Sequence, residues 1–257
     1  MTDPEVPRGI LVVTGTGTGV GKTVVTAAIA ALALARGDRV AVVKPAQTGT
    51  GTGDVPDMET VERLSGVTDT HELARFPDPL SPEAAARAAG LPPLDMTAAS
   101  EYIAKLAQSR DLVLVEGAGG LLVRYDGSGA TIAGLAKALG APALIVAAAG
   151  LGTLNHTALT CEALAARKIT GRGVVIGSWP RHPGLAERAN VADLEAVAGE
   201  PLAGVLPEGS GGLGRADFLA AARAGLRPRL GGARTASQKE SIIPNGRVAT
   251  ARVSPIC

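Results

Sequence analysis

The segment Gly15–Thr23, with the sequence GTGTGVGKT, constrains the fold of this chain more than any other part of it. It follows a short β-branched run, Gly9–Thr14, and opens an Ala/Leu-rich stretch, Lys22–Arg36, that contains neither Pro nor Gly. Glycine allows positive φ, so backbone N–H groups can turn toward a phosphate, and a helix start adds the positive end of its dipole. The order strand, loop, helix therefore predicts a phosphate-binding loop.

The end of this loop carries the residue types that contact a triphosphate. In such loops the lysine reaches the β- and γ-phosphates and the following hydroxyl ligates Mg²⁺, so we expect these roles for Lys22 and Thr23. The pattern G-x-x-x-x-G-K-S/T fails at one position, because residue 16 is threonine and the first glycine is Gly15. A glycine-rich turn without a ligand is the alternative. A dinucleotide site is less favoured, since no acidic residue ends the second strand.

Strand and helix patterns alternate along the rest of the chain. Continuous apolar runs indicate strands of a parallel sheet covered on both faces. The sequence therefore predicts an α/β fold of three layers, with a doubly wound, mostly parallel sheet like that of P-loop NTPases. The further expected strands are Val40–Lys44, Asp111–Val115, Ala143–Ala149, Gly173–Ile176 and Leu202–Leu206, and the further expected helices are Glu59–Leu64, Pro82–Ala89, Thr97–Ser109, Thr131–Leu139, Asn155–Arg167 and Val191–Ala198.

Length and composition indicate one domain with a tail. The 257 residues suffice for a sizeable core, which must be aliphatic because aromatic residues make up only 2%. We expect residues 1–228 to form a single P-loop α/β catalytic domain. Residues 229–257 are rich in Gly, Pro, Ser and Arg and lack helical periodicity, so we expect a flexible tail. A clamp on a partner subunit is the alternative.

Charge and hydropathy limit the partners of the chain. The net charge of +1 offers no basic footprint for nucleic acid. The N-terminus has no apolar signal-peptide core, and the longest apolar runs are too short to span a bilayer. We therefore expect a cytoplasmic protein with no nucleic-acid or membrane partner.

A lysine follows the apolar part of the second strand. Since the carboxyl ends of parallel strands face the ligand crevice, Lys44 is expected beside Lys22, where two cations would meet phosphate charge. A solvated lysine is the alternative. Either Asp54 or Asp57 could ligate Mg²⁺, with Asp57 favoured, although Asp57 could instead cap a helix.

An acidic residue ends the third expected strand. Glu116 follows the buried-type run DLVLV and precedes GAGG, which is typical of the second metal-binding element of P-loop proteins. We expect Glu116 to hold Mg²⁺ directly or through water. A structural Glu116 would also need a cation partner, because an unpaired buried carboxylate is costly.

Four motifs together resemble the dethiobiotin synthetase family. They occur in the family's order, and the resemblance covers about residues 10–229. It implies an ATP-dependent ligase of biotin biosynthesis that also needs Mg²⁺. The implied reaction joins 7,8-diaminopelargonate and CO₂ in a carbamate, activates it as a carbamic–phosphoric anhydride, and closes the ring to dethiobiotin. The motifs are VTGTGTGVGKT (Val13–Thr23), VKPAQTG (Val43–Gly49), VEGAGGLLV (Val115–Val123) and GLGTLNHT (Gly150–Thr157).

The same resemblance implies roles for individual residues. Lys44, Lys22 and Thr18 would be catalytic, and Thr23, Asp57 and Glu116 would ligate Mg²⁺. Thr48 would contact the diamine, while Leu151, Gly152, Thr153 and Asn155 would hold the substrate carboxylate from the neighbouring subunit of a homodimer. Asn155 could alternatively cap its helix. The implied nucleotide contacts are Gly19, Val20, Gly21, Lys22, Thr23, Val24, Asp57, Glu116, Gly117, Ala118, Gly119, Gly177, Ser178, Pro207, Glu208 and Gly209.

One departure from the family pattern concerns the base. Many members have Asn-Asp after the fifth strand, where the asparagine contacts adenine, and this chain has Gly177 and Ser178. Because the side-chain amide is missing, the sequence does not predict a strict preference for adenine.

Other P-loop functions remain as alternatives. A cobyrinate-type synthetase would use the same phosphate chemistry, but Gly150–Thr157 argues against it. A partitioning ATPase would carry a second lysine early in the loop, where this chain has Gly17. A non-catalytic nucleotide-binding protein would not need Lys44 and Glu116, and a kinase would need a lid insertion.

Overall fold

The expected strands are present in the structure, a computed structural model that describes residues 6–51, 53 and 55–235. The strands are β1 Gly9–Gly15, β2 Val40–Gln47, β3 Thr70–Arg75, β4 Leu112–Glu116, β5 Ala143–Ala147, β6 Gly171–Trp179 and β7 Gly204–Pro207. They form a seven-stranded sheet in the order β3-β2-β4-β1-β5-β6-β7. Every neighbouring pair of these strands is parallel, so the predicted sheet is confirmed.

Helices cover both faces of the sheet. They are α1 Lys22–Ala35, α2 Asp57–Ser65, α3 Pro82–Ala89, α4 Met96–Ala107, α5 Ile132–Ala138, α6 Thr153–Ala166, α7 Leu185–Ala198 and α8 Arg215–Gly225. Helices α1, α2 and α8 pack in one hydrophobic core and α3–α7 in the other. This is the predicted three-layer, doubly wound arrangement. The largest fully buried side chains are mostly Leu and Ile, as expected from the few aromatic residues.

The structure differs from the sequence-based prediction at particular elements. Strand β3 was not predicted, because THELAR is a half-exposed edge strand without an apolar run. Helix α8 was not predicted either, and α7 begins at Leu185 rather than at Val191. Strand β2 continues past Lys44 to Gln47, so Lys44 lies within the strand and is buried.

The segment after α8 packs on the domain as far as the structure describes it. Leu230 and Arg234 are buried, and Arg229 binds Glu200 and the Pro201 carbonyl. The expected tail thus begins with packed residues, while 236–257 lie outside the described residues, and the flexible tail stays a prediction. None of the helices in the described part has the length and apolar character needed to cross a membrane.

Candidate active site

The glycine-rich loop leaves the central strand β1 and enters α1, as predicted. Gly19 and Gly21 have φ values of +74° and +95°, a region that favours glycine. Gly21 also faces β6 closely, since a Cβ there would lie 2.8 Å from the Gly177 carbonyl oxygen. A Cβ at Gly177 would lie 2.1 Å from the Val20 carbonyl oxygen. The loop and the end of β6 therefore meet backbone to backbone, and neither glycine can carry a side chain unless the loop shifts.

Lys22 folds back over the loop. Its Nζ donates a hydrogen bond to the Gly17 carbonyl oxygen at 2.8 Å. Burial, and then the nearby Lys44 ammonium, lower the pKa of Lys22 to about 8. A buried cation is thus held where the loop would enclose an anion.

Lys44 lies between the two predicted carboxylates. Its Nζ is 2.5 Å from Asp57 Oδ2 and 2.9 Å from Glu116 Oε1, and only 3% of the residue is exposed. Thr23 Oγ1 completes the group, at 2.8 Å from Glu116 Oε1 and 3.1 Å from Asp57 Oδ1. Lys44 is therefore not a solvated strand-end residue. Asp57 is the first residue of α2 after the cap position Pro56, and its carboxylate faces Lys44 rather than capping the helix.

In this group one buried ammonium lies between two carboxylates, so the negative charges outnumber the positive charge. Burial alone would lower the pKa of Lys44, but Glu116 and Asp57 outweigh it and raise that pKa. Burial would raise the pKa of Asp57, but Lys44 outweighs it and the pKa is lowered. For Glu116 burial prevails and the pKa is raised. The buried Glu116 Oε2 has no hydrogen-bond partner in the described part of the chain, so the carboxylate can still bind a cation or a water molecule.

Two further residues, Gln47 and Tyr125, position this group, and no pattern in the sequence singles them out. The Asp57 backbone N–H donates to Gln47 Oε1 at 3.2 Å. The Ala118 N–H donates to the fully buried Tyr125 hydroxyl at 2.7 Å, which fixes the loop after β4. Both contacts join segments that are distant or irregular in the chain, and local patterns do not report such contacts.

A cavity of about 760 Å³ opens over the loop and this charged group. It contains most of the predicted catalytic, metal and phosphate-contacting residues, together with Thr48. The loop before α3, which was not predicted to take part, forms another wall. The predicted residues that line the cavity are Thr18, Gly19, Gly21, Lys22, Thr23, Val24, Lys44, Thr48, Asp57, Glu116, Ala118 and Gly119, and the additional wall contains Pro79, Leu80, Ser81 and Pro82.

The residues predicted near the base lie beside the loop but do not line this cavity. Glu208 N–H donates to the Trp179 carbonyl at 2.7 Å, which joins the ends of β6 and β7. The turn after β7 reaches the start of α1, since a Cβ at Gly211 would contact Val24 at 3.5 Å. Gly177 and Ser178 at the end of β6 and Pro207–Gly209 at the end of β7 thus lie side by side and form one edge next to the phosphate loop.

The predicted carboxylate-holding segment lies at the start of α6, outside the cavity. Gly152 has a φ of +87° and occupies the cap position, and Thr153 Oγ1 donates to the Ala148 carbonyl at 2.7 Å. Asn155 is exposed in the first helical turn and therefore does not cap the helix. Leu151 is 89% exposed.

The possible metal ligands form a small set. Among the described residues, no group of three or more His, Cys, Asp or Glu side chains is placed to hold a metal ion. The candidate cation site instead combines two carboxylates with the Thr23 hydroxyl. Asp54, the alternative ligand, lies outside the described residues.

Known proteins share this fold and sequence. Residues 9–211 match the family model described as an AAA domain. The septum site-determining protein MinD complexed with Mg-ADP, from Pyrococcus horikoshii OT3, aligns with a TM-score of 0.54 at 17% identity, covering 87% of this chain and 94% of that one. This likeness shows the fold alone, and with the loop it defines a P-loop nucleotide-binding protein of the α/β class.

Closer relatives specify the family. The ATP-dependent dethiobiotin synthetase BioD of Frankia casuarinae is 63% identical over 222 residues, covering 86% of this chain and 93% of the relative. That of Parafrankia sp. is 58% identical over 229 residues, covering 89% and 96%. The chain belongs to the ATP-dependent dethiobiotin synthetase family. The family predicted from the four motifs is confirmed, and the alternative of a partitioning ATPase is wrong although such proteins share the fold.

Proposed function

We propose that this member of the family uses the cavity over the phosphate loop to join a diamine and CO₂ at the expense of a nucleoside triphosphate. The observation that carries this proposal is the convergence of Lys22, Lys44 and two carboxylates in one cavity beside the loop. Two cations beside a phosphate cradle can neutralise the charge that develops when a phosphoryl group is transferred.

The triphosphate would lie along the loop. Gly19–Val24 would surround the phosphates with backbone N–H groups, and Lys22 would leave the Gly17 carbonyl to bind the β- and γ-phosphates. Gly117–Gly119 would form the opposite wall. The base would face the edge formed by Gly177, Ser178 and Pro207–Gly209, which offers no side chain at residue 177 to select adenine.

The group of Thr23, Asp57 and Glu116 fits a magnesium ion. Mg²⁺ prefers one or two carboxylates, a hydroxyl and phosphate oxygens. The unpartnered, buried Glu116 Oε2 is a ligand atom still to be satisfied. Mg²⁺ bound there would supply charge neutralisation for the β- and γ-phosphates.

The chemistry proceeds in three steps. One amine of 7,8-diaminopelargonate attacks CO₂ and loses a proton, giving a carbamate. A carbamate oxygen then attacks the γ-phosphorus, and ADP leaves. The second amine attacks the carbonyl carbon of this anhydride, phosphate leaves, a proton is lost and the ureido ring closes. Lys44 would bind the carbamate and the transferring phosphoryl group, Thr18 would lie near both ligands, and Thr48 would contact the diamine.

We further propose that a second copy of the chain covers the face formed by α6 and α7. Leu151, just before α6, is 89% exposed, and Leu159 on α6 and Leu185 on α7 are 55% and 79% exposed. Because the two helices adjoin, these leucines are grouped in one part of the surface, and grouped exposed apolar residues are typical of an interface. The segment Leu151–Asn155 lies at this face, and a homodimer would let it complete the partner's site.

Charging the α6–α7 face tests the homodimer. The double substitution Leu159→Asp with Leu185→Asp leaves the segment Leu151–Asn155 intact. It is expected to give a folded monomer in sedimentation velocity, because two carboxylates cannot be buried unpaired at an interface. Dethiobiotin formation should fall with dimerisation. A monomeric variant that keeps full activity would contradict the shared site. Leu91→Asp, which charges an exposed leucine away from these helices and outside the cavity lining, is the matched control.

A coupled assay tests the proposed function. The protein is incubated with 7,8-diaminopelargonate, bicarbonate, Mg²⁺ and ATP, CTP or GTP, and dethiobiotin is followed by mass spectrometry. We expect product that requires every component, with kcat/KM values for the three nucleotides within about tenfold, because no side-chain amide is present at residue 177 to discriminate between bases. Nucleotide binding without any product would overturn the proposed reaction. A preference for ATP far above tenfold would overturn only the proposed role of residue 177.

A further inference from the structure

Asn190 is a buried amide on the face of α7 that packs toward the sheet. It is 6% exposed, and its buried neighbours along that helix are apolar: Val191, Leu194 and Ala198. Asparagine is a weak helix former, and a buried amide costs free energy unless it is hydrogen-bonded. Packing alone therefore does not explain an asparagine at this position.

The Asn190 amide nitrogen is bound to one turn of the backbone. Its Nδ2 donates to the Ala149 carbonyl at 2.8 Å and to the Gly150 carbonyl at 3.0 Å. An amide nitrogen carries two hydrogens, so both are used. The turn is the connection between β5 and α6, directly before Leu151.

These bonds orient the peptide groups at the start of α6. The Ala148 carbonyl is bound by Thr153 Oγ1, and the next two carbonyls are bound by Asn190. In a planar trans peptide the C=O and the following N–H point in opposite directions. Fixing the carbonyls of Ala149 and Gly150 therefore fixes the direction of the N–H groups of Gly150 and Leu151.

We infer that Asn190 is a positioning residue for recognition of the substrate carboxylate. The inference rests on the proposed function, in which the segment Leu151–Asn155 holds that carboxylate. Asn190 acts through the backbone: it holds the turn so that the N–H groups at the start of α6 are pre-arranged for an anion. Binding of the diamine depends on this arrangement, whereas binding of the nucleotide at the phosphate loop does not.

Steady-state kinetics of Asn190→Ala and a neighbouring control test this role. Asn190→Ala is expected to raise KM for 7,8-diaminopelargonate at least about tenfold, because the N–H groups that bind the carboxylate are no longer pre-arranged. KM for ATP and kcat should change by less than about twofold. The control is Val191→Ala, which removes buried volume from the same helix turn and leaves both Asn190 hydrogen bonds to the β5–α6 turn in place. It should lower the melting temperature and leave both KM values unchanged.

A second substrate and a second variant separate the positioning role from loss of stability. With 2,3-diaminononane, in which a methyl group replaces the carboxylate, wild type and Asn190→Ala should have the same kcat/KM. If Asn190→Ala does not fold, Asn190→Leu keeps the volume and the apolar packing and takes its place. An unchanged KM for the diamine, or an increase matched by Val191→Ala, would overturn the role of Asn190. Failure of the wild-type protein to make dethiobiotin would instead overturn the proposed function.

Discussion

Replacing Lys44 by alanine is expected to lower kcat about 10³-fold, because a positioned cation contributes on this scale when it stabilises charge that develops in the transition state. The variant should also be less stable without divalent metal. Lys44 compensates two carboxylates, of which Glu116 is fully buried, and removing one partner of a buried ion pair costs about 3–5 kcal/mol. The exposed part of Asp57 reduces this cost.

The two effects of Lys44→Ala can be measured separately. Product formation gives kcat, and thermal unfolding in EDTA and in excess Mg²⁺ gives the stability. If the carboxylates form the proposed cation site, Mg²⁺ should raise the melting temperature of the variant more than that of the wild type. The matched control is Lys105→Ala, which removes an exposed lysine of α4. Near-normal turnover of Lys44→Ala would contradict the assignment of the active site.

Replacing Lys22 by alanine is expected to lower kcat by a similar factor of about 10³, since the same phosphate charge loses a cation. Its effect on stability should differ. Lys22 binds a backbone carbonyl and has a pKa lowered to about 8, so the folded state holds this proton less tightly than the unfolded chain does. The unfolded state then binds more protons between about pH 8 and the ordinary lysine range, and the wild type gains stability as pH rises through that window.

Denaturant unfolding at pH 7 and pH 9.5 checks this difference. The free energy of unfolding of the wild type should rise relative to that of Lys22→Ala between these values, by about 2 kcal/mol. At pH 7, Lys22→Ala should be clearly more stable than Lys44→Ala. The geometry indicates that only Lys44 compensates carboxylates. An equal loss of stability in both variants would contradict this difference between the two lysines.

The sequence predicted most of the residues that meet in the candidate site, because their patterns are local. Lys22 and Thr23 follow from the loop between a strand and a helix, and Lys44 and Glu116 from their places on apolar strands. The strict parallel order of a doubly wound sheet brings these strand ends to one edge. That Lys44 lies inside β2 and pairs with two carboxylates depends on the register of β2 against β4 and on the position of α2, which local patterns do not report.

The rest of the fold and site depends on tertiary contacts. Strand β3 has no apolar run, since it covers an edge and is half exposed. Tyr125 and Asn190 act on backbone groups of other segments, and nothing in their neighbours along the chain indicates it. From the sequence, Gly177 differs from the family pattern only in lacking a side-chain amide. The structure adds a steric reason for glycine at this position, because the Val20 carbonyl oxygen leaves no room for a Cβ.

The position of Trp179 makes it an intrinsic fluorescence probe. It is the only tryptophan in the sequence, and it ends β6 two residues after Gly177, with its carbonyl bound to Glu208 at the edge proposed for the base. Excitation selective for indole therefore reports on this edge alone, without a label and without contributions from elsewhere in the domain. We expect its emission to change when a nucleotide binds at this edge and to stay unchanged when the diamine alone binds.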